Sequence, residues 1–592
     1  MRYVISMLRF PTSILLILMT ANLGAGAATI FVDGAGSGDF TSIQDAIDAS
    51  EEGDLILVLN GTYRENLVVD KQIGLLGVGQ PIVEGGAGSA PIITINASGV
   101  VLDGFILAGS TNESSDGGAV LVLSDGSKIL NNTISSSLSH GICVLNSKDH
   151  MIYGNMISGS FKAGIRFAGA NDSQIAANEI HQNAYGIFVE DSSSNWISNC
   201  GVWGNGADGI SIESSLWNEL VGNAIHNNSE NGVYITKSSN NILISNWIYD
   251  NYESGIDLYE SSNNMIVTNT IGRSAQTGIN VDSSDNNVIL LNALSYNDLN
   301  GIAIQGSKSN TVSENLVKEN RESGISLRDE SGENLITLNE ISGNKRYGIV
   351  FDGSSINYVQ ANKITRNLDG IVIRYSRDNS VVENEIDYNN FGISLEFTQN
   401  VVVSTNSIQN CTRDGIRLLR CDNSKIYSNK VRENMADGVH MVKSTGTVVS
   451  SNDIDMNGEY GIQVLDHSDH NLFMLNVIRN SGTGGVYIFE GELNIVLSNA
   501  LIDNGKFNGR DNGGNKWLSN SYSDYAGEEI AYRMVLGQYD DRFASEPGVV
   551  DIGADPYEIF GHRGSVTRDY KPFMNHFVTL GDRTLPGPPG DI

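Results

Sequence analysis

Proline, cysteine and positive charge are all scarce in this chain of 592 residues. Only nine prolines accompany 65 glycines, which argues against a collagen-like or proline-linked chain and favours many tight turns. Four cysteines, with no Cys-x-x-Cys pair, argue against a disulfide scaffold and against a zinc finger. Lys and Arg number 37 against 69 Asp and Glu, a net charge of −32. Such a chain repels phosphate backbones, so we expect no nucleic-acid partner.

Long apolar runs are missing after the N-terminus. Residues 1–28 have the pattern of a signal peptide, with Arg2 and Arg9, an apolar run from Ile14 to Met19, and a small-residue cleavage site at 25–27. An uncleaved membrane anchor is the alternative, although the run is shorter than the roughly 20 residues of a span. The sequence therefore predicts an exported protein, at the cell surface, outside it or in the periplasm, with no transmembrane segment after signal removal.

Export would make the Asn-x-Ser/Thr sequences meaningful as candidate glycan acceptors. These asparagines are Asn60, Asn96, Asn112, Asn131, Asn171, Asn227 and Asn410.

One dipeptide returns at a constant interval through most of the chain. A glycine followed by Ile, Val or Ala recurs from Gly118 to Gly485, and no interval departs from 23 residues by more than one. Between these glycines, short stretches alternate apolar and polar residues, as strands with one buried face do. Strands repeated this way are expected to pair in parallel with their equivalents one repeat along. The sequence predicts an all-β fold, a right-handed single-stranded parallel β-helix with coils of about 23 residues.

A column of asparagines follows the same period. Stacked side-chain amides at a bend can donate to and accept from the next coil, so we interpret the column as a structural ladder rather than a binding row. Its members are Asn132, Asn155, Asn178, Asn223, Asn246, Asn269, Asn292, Asn315, Asn339, Asn362, Asn384, Asn406, Asn429, Asn452, Asn476 and Asn499.

The repeat also divides the chain. Residues 29–112 are predicted to hold an N-terminal cap and the first coils, with a short helix marked by the apolar stripe Ile43, Ala46 and Ile47. The repeats proper occupy 113–505, a C-terminal cap is expected at 506–583, and residues 584–592 are expected to be disordered.

Two segments resemble exported β-helix proteins. The opening from Phe31 to Ile47, Phe-Val-Asp-Gly-Ala-Gly-Ser-Gly-Asp-Phe-Thr-Ser-Ile-Gln-Asp-Ala-Ile, resembles that of pectinesterases and of archaeal and bacterial surface β-helices. The tail, with Gly514-Asn-Lys-Trp517 and the run Asp551-Ile-Gly-Ala-Asp-Pro-Tyr-Glu-Ile559, resembles the closing block of NosD-type β-helix proteins. That family carries the repeat of carbohydrate-binding proteins and sugar hydrolases, so the resemblance implies a carbohydrate partner.

The chain also departs from these families. The pectinesterase motifs Gln-Ala-Val-Ala-Leu and Asp-Phe-Ile-Phe-Gly are absent, and of the epimerase motif Asp-Pro-His-Asp only Asp466 fits. NosD proteins are linked to copper maturation of nitrous-oxide reductase. Here His440-Met441 is an adjacent His-Met pair, but no dense His/Met/Cys cluster appears, so copper is not expected from the residues. No cofactor is identified, although the turn Asp282-Ser-Ser-Asp285 is a candidate for Ca²⁺ through oxygen ligands.

Chemistry is expected on the outward rows of the strand that follows each repeat glycine. If the first and third residues after the glycine point inward, the second and fourth point outward. Aromatic faces there would stack on sugars, and carboxylates and guanidinium groups would bind hydroxyls and uronates. The candidate ligand-binding residues are Tyr234, Tyr259, Arg328, Asp352, Arg374 and Glu396. Glycosidases need paired carboxylates, and the candidate catalytic residues are Glu190, Glu213, Asp257 and Asp282.

The sequence thus predicts an exported β-helix that binds a polysaccharide or glycoconjugate. One alternative is a polysaccharide hydrolase, lyase or epimerase that uses the outward carboxylates and arginines. Another is a NosD-like periplasmic accessory protein for a copper enzyme. A third is a surface spacer without any ligand.

Overall fold

The computed structural model describes residues 27–86, 88–523, 557–560 and 566–569. All but the last two residues of the predicted signal peptide lie outside these ranges, as does the predicted disordered tail. Within the described ranges, no helix has the length and apolar character needed to cross a membrane. The chain divides into two compact units, Met1–Ile302 and Ala303–Ile592.

The first unit is a parallel β-solenoid in which each repeat adds one strand to each of three sheets. Sheet 1 contains Thr29–Val32, Leu55–Leu59, Gly74–Val78, Val101–Asp103, Lys128–Leu130, Met151–Tyr153, Gln174–Ala176, Trp196–Ser198, Glu219–Val221, Ile242–Ile244, Met265–Val267 and Val288–Leu290. Sheet 2 contains Thr62–Arg64, Ile82–Glu84, Ile106–Ala108, Thr133–Ser135, Met156–Ser158, Glu179–His181, Gly201–Trp203, Ala224–His226, Trp247–Tyr249, Thr270–Gly272 and Ala293–Ser295. Sheet 3 contains Leu67–Val69, Ile93–Ile95, Gly118–Val122, His140–Leu145, Ala163–Ala168, Tyr185–Glu190, Ile210–Glu213, Val233–Thr236, Ile256–Tyr259 and Ile279–Asp282.

The second unit has the same three kinds of sheet. Sheet 1 contains Thr311–Ser313, Leu335–Thr337, Tyr358–Gln360, Ser380–Val382, Val402–Ser404, Lys425–Tyr427, Val448–Ser450, Leu472–Met474, Ile495–Leu497 and Lys516–Leu518. Sheet 2 contains Leu316–Lys318, Glu340–Ser342, Lys363–Thr365, Glu385–Asp387, Ser407–Gln409, Lys430–Arg432, Asp453–Asp455, Val477–Arg479, Ala500–Ile502 and Ser521–Tyr522. Sheet 3 contains Ile325–Arg328, Tyr347–Asp352, Asp369–Arg374, Ile393–Glu396, Ile416–Leu419, Val439–Val442, Tyr460–Leu465, Gly484–Phe489 and Gly509–Asp511. A further sheet 3 strand, Ile302–Gln305, begins at the last residue of the first unit.

These strands confirm the predicted all-β parallel solenoid. Parallel pairing continues to Ser521–Tyr522, past residue 505 where the glycine repeat stops. Beyond it, Tyr557–Phe560 and Val566–Asp569 pair antiparallel. The predicted domain boundaries and the role of the ends as caps stay predictions.

The core is formed by the first and third residues after the repeat glycines from Gly141 to Gly485. Gly118, predicted as the first of these glycines, is one residue out of register, because it pairs with His140 and Ala119 falls opposite Gly141. Ile187 pairs in register with Ile210, and Val189 pairs with Ile212. All four side chains are fully buried, as are their equivalents along sheet 3 of both units. The predicted inward positions are therefore correct for the residues that follow these glycines, whereas several second residues that were predicted to point outward, such as Cys143, Ser326 and Val372, are also buried.

The repeat glycine is required by a close approach between coils. A Cβ atom on Gly232 would lie 2.5 Å from Cγ2 of Ile248 and 2.6 Å from the carbonyl oxygen of Gly255. Ile248 is a buried core residue one coil along. A side chain at Gly232 would therefore displace the next coil, which explains why glycine occupies this position from Gly141 to Gly485.

The predicted asparagine column is a hydrogen-bonded ladder. The backbone N–H and the Nδ2 of Asn223 both donate to Oδ1 of Asn246, at 3.0 and 2.9 Å, and Asn246 repeats the pattern with Asn269. Two further asparagine ladders run through the other bends, which the sequence analysis did not identify. One includes Asn195, Asn218, Asn241, Asn264, Asn334 and Asn357, and the other includes Asn183, Asn205, Asn228, Asn344 and Asn367.

The predicted short helix is Ile43–Ala49, and Ile43, Ala46 and Ile47 are its buried face. Ser42 is the N-cap, and its hydroxyl accepts from the N–H of Asp45 at 3.2 Å. The carboxylate of Glu65 accepts from the N–H groups of Ile43 and Gln44 at 3.0 and 2.9 Å, so it pairs two further N–H groups of the first turn.

Candidate functional site

Sheet 3 of the first unit carries the predicted acids Glu190 and Glu213 in register on neighbouring strands. Both side chains are half-buried on the outer surface. Oε2 of Glu190 lies 2.9 Å from Nη2 of Arg166, whose Nη1 lies 2.8 Å from Oδ1 of Asp116. Because Glu190 is held in this ion pair, it is a poor nucleophile. The structure brings the two acids together without giving either the environment of a general acid.

The second predicted acid pair, Asp257 and Asp282, is not in direct register. Asp257 pairs with Asn280, whose Nδ2 donates to Oδ1 of Asp257 at 2.8 Å, and Asp282 pairs with Tyr259. Burial raises the pKa of Asp257 to about 6, and the charge of Asp282 adds to the rise. Tyr234 lies in register with Asp257, and burial also raises the pKa of its phenol. These residues share one patch of the first unit, with Tyr259 exposed at its edge.

In the second unit, the predicted row Arg328, Asp352, Arg374 and Glu396 lies on four consecutive strands. Nη2 of Arg374 lies 2.8 Å from Oδ2 of Asp352, while Arg328 is exposed. Oε1 of Glu396 lies 3.3 Å from Nη1 of Arg417, a residue of the next strand. The row thus alternates base and acid, with one ion pair inside it and one to Arg417 beyond it.

A cluster that the site prediction omitted lies next to this row. Asp414 and Asp437 each precede a repeat glycine, and His440 is the second residue after the second of these glycines. Nδ1 of His440 lies 3.1 Å from Oδ2 of Asp414 and 3.4 Å from Oδ2 of Asp437. The side chains of Asp414, Asp437 and His440 are 8%, 2% and 22% exposed. We call these three residues the His440 cluster.

The electrostatics of the His440 cluster follow from burial and like charge. Burial raises the pKa of Asp437 to about 7, and the charge of Asp414 contributes to the rise. Burial disfavours protonation of His440, but the hydrogen bond and charge of Asp414, together with the charge of Asp437, outweigh burial and raise the pKa of the imidazole. Two carboxylates therefore meet around one imidazole in a largely water-free setting.

The copper hypothesis placed His440 and Met441 together, and the structure separates them. His440 faces outward and is half-buried, whereas Met441 is fully buried in the core. Because neighbouring residues of a strand point to opposite faces, the thioether cannot join the imidazole at one metal ion.

Aromatic rings and cations surround the His440 cluster. Cζ of Arg417 lies 5.1 Å from the ring centroid of Phe391, and Cζ of Arg510 lies 5.5 Å from that of Tyr487. The rings of Tyr460 and Tyr487 stack with centroids 5.1 Å apart. We call Phe391, Arg417, Tyr460, Tyr487 and Arg510 the cation–aromatic surface.

Register places several of these side chains in one column. Arg417 pairs with His440, His440 with Gln463, Gln463 with Tyr487, and Tyr487 with Arg510. Four steps of about 4.8 Å make this column roughly 19 Å long.

An acid before the repeat glycine is a pattern that the sequence does contain. Asp208, Asp369, Asp414 and Asp437 all occupy it. Burial raises the pKa of Asp208 to about 7, although N–H and Nδ2 of Asn231 both donate to its Oδ1, at 3.0 and 3.1 Å. The other ionisable groups that interact with Asp208 are Glu230, Glu253, Tyr185 and Tyr234.

Comparison with known families and structures gives the following matches. Residues 117–271, 323–478 and 436–523 match the family described as right handed beta helix region, and residues 204–347 match the family described as periplasmic copper-binding protein (NosD). A curated "Cell surface glycoprotein" of Methanothermus fervidus is 32% identical over 137 residues. That match covers 23% of this chain and 22% of the relative, so the chain spans about a fifth of that protein's length.

Among solved structures, one match is the A-module of the mannuronan C-5 epimerase AlgE6 of Azotobacter vinelandii, which is 17% identical with a TM-score of 0.38. This match covers 58% of this chain and 93% of that one. The Dettilon tailspike protein is 13% identical, with a TM-score of 0.39, over 55% of this chain and 68% of that one. The family matches confirm the predicted relation to NosD-type β-helices. Since the β-helix model matches more than half of its residues, the chain belongs to the right-handed β-helix family.

Proposed function

We propose that this protein binds an acidic polysaccharide at or outside the cell surface, through the cation–aromatic surface of its second unit. The observation that carries the proposal is the column that runs from Arg417 to Arg510, flanked by the rings of Phe391 and Tyr460. Aromatic rings supply flat apolar area for sugar rings, and guanidinium groups bind carboxylates in a fixed geometry.

The length of the column suits a chain of sugars. One strand step of about 4.8 Å is close to the length of one sugar unit, so a polysaccharide laid along sheet 3 would meet one outward side chain per residue. Four steps would accommodate about four sugars. The row Arg328, Asp352, Arg374 and Glu396 lies on the preceding strands of the same sheet, and we propose that it extends the contact.

Charge favours an acidic rather than a neutral glycan. Arg413, whose Cζ lies 5.5 Å from the Phe391 ring, and Arg510 have no ion-pair partner among the residues that the structure describes. On a chain with a net charge of −32, unpaired guanidinium groups beside aromatic rings are a local exception. A uronate carboxylate would neutralise them.

The surface location is supported by the name of the archaeal relative, a cell surface glycoprotein, and by the exposure of several candidate glycan acceptors. Asn60, Asn96, Asn131 and Asn227 are exposed, whereas Asn112 is buried and could carry a glycan only after local unfolding.

The test is a titration of the full chain with uronate oligosaccharides and with neutral glucan oligosaccharides of equal length, followed by calorimetry. We expect uronates to bind and glucans to bind more weakly. Tyr487→Ala should weaken uronate binding about fivefold to tenfold, because one stacking ring contributes about 1 kcal/mol. Arg510→Gln should weaken uronate binding and leave glucan binding unchanged.

Tyr427→Ala is the matched control, because Tyr427 is 39% exposed on sheet 1 of the same unit. It should bind uronates as the parent does. Equal losses in the Tyr427 and Tyr487 variants, or no binding by the parent, would contradict the proposal. New reducing ends or unsaturated uronates after incubation would instead favour the enzyme alternative, with Glu190, Glu213, Asp257 and Asp282 as the first residues to replace.

The NosD match over 204–347 keeps the copper-accessory function as a second candidate. Its test is the copper content of the chain after dialysis, and stoichiometric retention would favour it.

A further inference from the structure

The two carboxylates of the His440 cluster are held by the backbone. The N–H of Asp437 donates to Oδ1 of Asp414 at 3.1 Å, and the N–H of Tyr460 donates to Oδ1 of Asp437 at 2.9 Å. Each Oδ1 is thus bound to the backbone one coil along. The remaining oxygen of each carboxylate, Oδ2, is directed at Nδ1 of His440.

The spacing of these three atoms matches a coordination shell. The ligand atoms of the cluster all lie within 4.8 Å of one another, and Nδ1 is 3.1 and 3.4 Å from the two Oδ2 atoms. Ligands bound to Zn²⁺ at 2.0–2.2 Å in a tetrahedron lie roughly 3.4 Å apart. Both nitrogen-to-oxygen distances are therefore close to the separation of two ligands on one such ion.

Charge gives a second, independent reason for a cation. Asp437 is 2% exposed and Asp414 is 8% exposed, and two carboxylates buried beside one imidazole need protons or a cation to offset their charge. The guanidinium of Arg417, which is in register with His440, is paired with Glu396. A dication would balance both acids with a neutral imidazole.

We infer that Asp414, Asp437 and His440 bind one divalent transition-metal ion of the Zn²⁺ class, with a fourth position open to solvent or ligand. A site of imidazole and carboxylate donors suits Zn²⁺, whereas copper(I) prefers the sulfur ligands that this cluster lacks. The strands fix all three side chains before the ion arrives, which favours affinity. This site goes beyond the proposed glycan binding and does not depend on it.

The test uses the full chain, dialysed against a chelator and titrated with Zn²⁺ alone. We expect one Zn²⁺ per chain to remain after gel filtration, measured by metal analysis, and a higher unfolding temperature in the presence of Zn²⁺. Asp437→Asn and His440→Gln should each weaken this binding at least tenfold. Co²⁺ should give the strong visible absorption of a tetrahedral site in the parent and lose it in both variants.

Asp369→Asn is the matched control. Asp369 occupies the same position before a repeat glycine and accepts from the N–H of Phe391 at 3.2 Å, but no imidazole faces it. It should bind Zn²⁺ as the parent does. Unfolding temperatures measured in chelator identify any variant that has lost its fold. If Asp437→Asn does not fold, the inference is tested on His440→Gln, because His440 is the most exposed of the three residues and its replacement should disturb the fold least. Equal Zn²⁺ content in the parent and the His440 and Asp437 variants, or no Zn²⁺ in the parent, would overturn the inference and leave a hydrogen-bonded His–carboxylate group.

Discussion

Breaking one rung of the asparagine ladder should have a large and directional effect. The side chain of Asn246 makes four hydrogen bonds. Its Nδ2 donates to the carbonyl oxygen of Leu220 at 2.8 Å and to Oδ1 of Asn269 at 2.9 Å, and its Oδ1 accepts from N and Nδ2 of Asn223. Asn246→Ala removes all four and leaves three buried groups without these partners, namely the N–H and one Nδ2 hydrogen of Asn223 and the oxygen of Leu220.

Each buried polar group left unpaired costs about 1–3 kcal/mol, so the variant should lose roughly 3–9 kcal/mol of local stability. The assay is amide hydrogen exchange, because a solenoid unfolds locally and a single midpoint would average over repeats. The amide of Asn223 should exchange faster, since its acceptor is gone. The amide of residue 246 should keep its protection, because it still donates to Asn269 at 2.9 Å.

The control is Asn263→Ala, at an exposed bend of the same unit, where only the left-handed backbone preference of Asn is lost. It should cost about 1 kcal/mol and leave amide 223 protected. Equal stability of the two variants would contradict this prediction, as would a loss of protection at amides 223 and 246 together. Either result would mean that the ladder is not a series in which each asparagine donates to the next.

Two further predictions concern the first unit. The pKa of Asp208, raised from 3.8 to about 7, means that the folded chain keeps a proton that the unfolded chain loses, so stability should fall as the pH rises from about 4 to 7. Asp208→Asn should remove that fall, worth up to about 4 kcal/mol, as measured by unfolding temperature against pH. Gly232→Ala should cost more than about 3 kcal/mol because its Cβ would meet Ile248 and Gly255, whereas Gly204→Ala, with open space around it, should cost about 1 kcal/mol. Equal thermal shifts in the two glycine variants would contradict the packing argument.

The fold could be predicted because one period controls both pairing and burial. A residue such as Ile210 is apolar, is followed by polar Ser211, and returns 23 residues later as Val233, so the alternation and the repeat indicate the same buried face. The first asparagine column could also be predicted from the sequence, because its asparagines return with the same period. The two other ladders were not identified because serine, threonine and cysteine replace asparagine in several repeats, as Cys411 does where its N–H donates to Asn434.

The His440 cluster escaped prediction because strict alternation fails at the glycine. Counting backward in steps of two from the buried Val439 assigns Asp437 to the inside, where a carboxylate would have no partner. In the structure, a Cβ on the repeat glycine would point at the core, as at Gly232 toward Ile248, so two consecutive positions face inward. The residue before the glycine then lies on the outer side, where Asp437 meets His440.

The hydrogen-bonding capacity of the stacked side chain distinguishes a structural column from a functional one. An asparagine amide both donates and accepts, so a column of asparagines satisfies itself, as Asn223, Asn246 and Asn269 do. A carboxylate only accepts, so an acid in a column needs a donor beside it, and Asn231 supplies one to Asp208 at 3.1 Å. Asp414 and Asp437 occupy the same position on two neighbouring coils, so no side-chain amide in this column donates to either carboxylate. The N–H groups of Asp437 and Tyr460 supply one donor to each Oδ1, and the two remaining Oδ2 atoms both face Nδ1 of His440, which can share a proton or a cation with them.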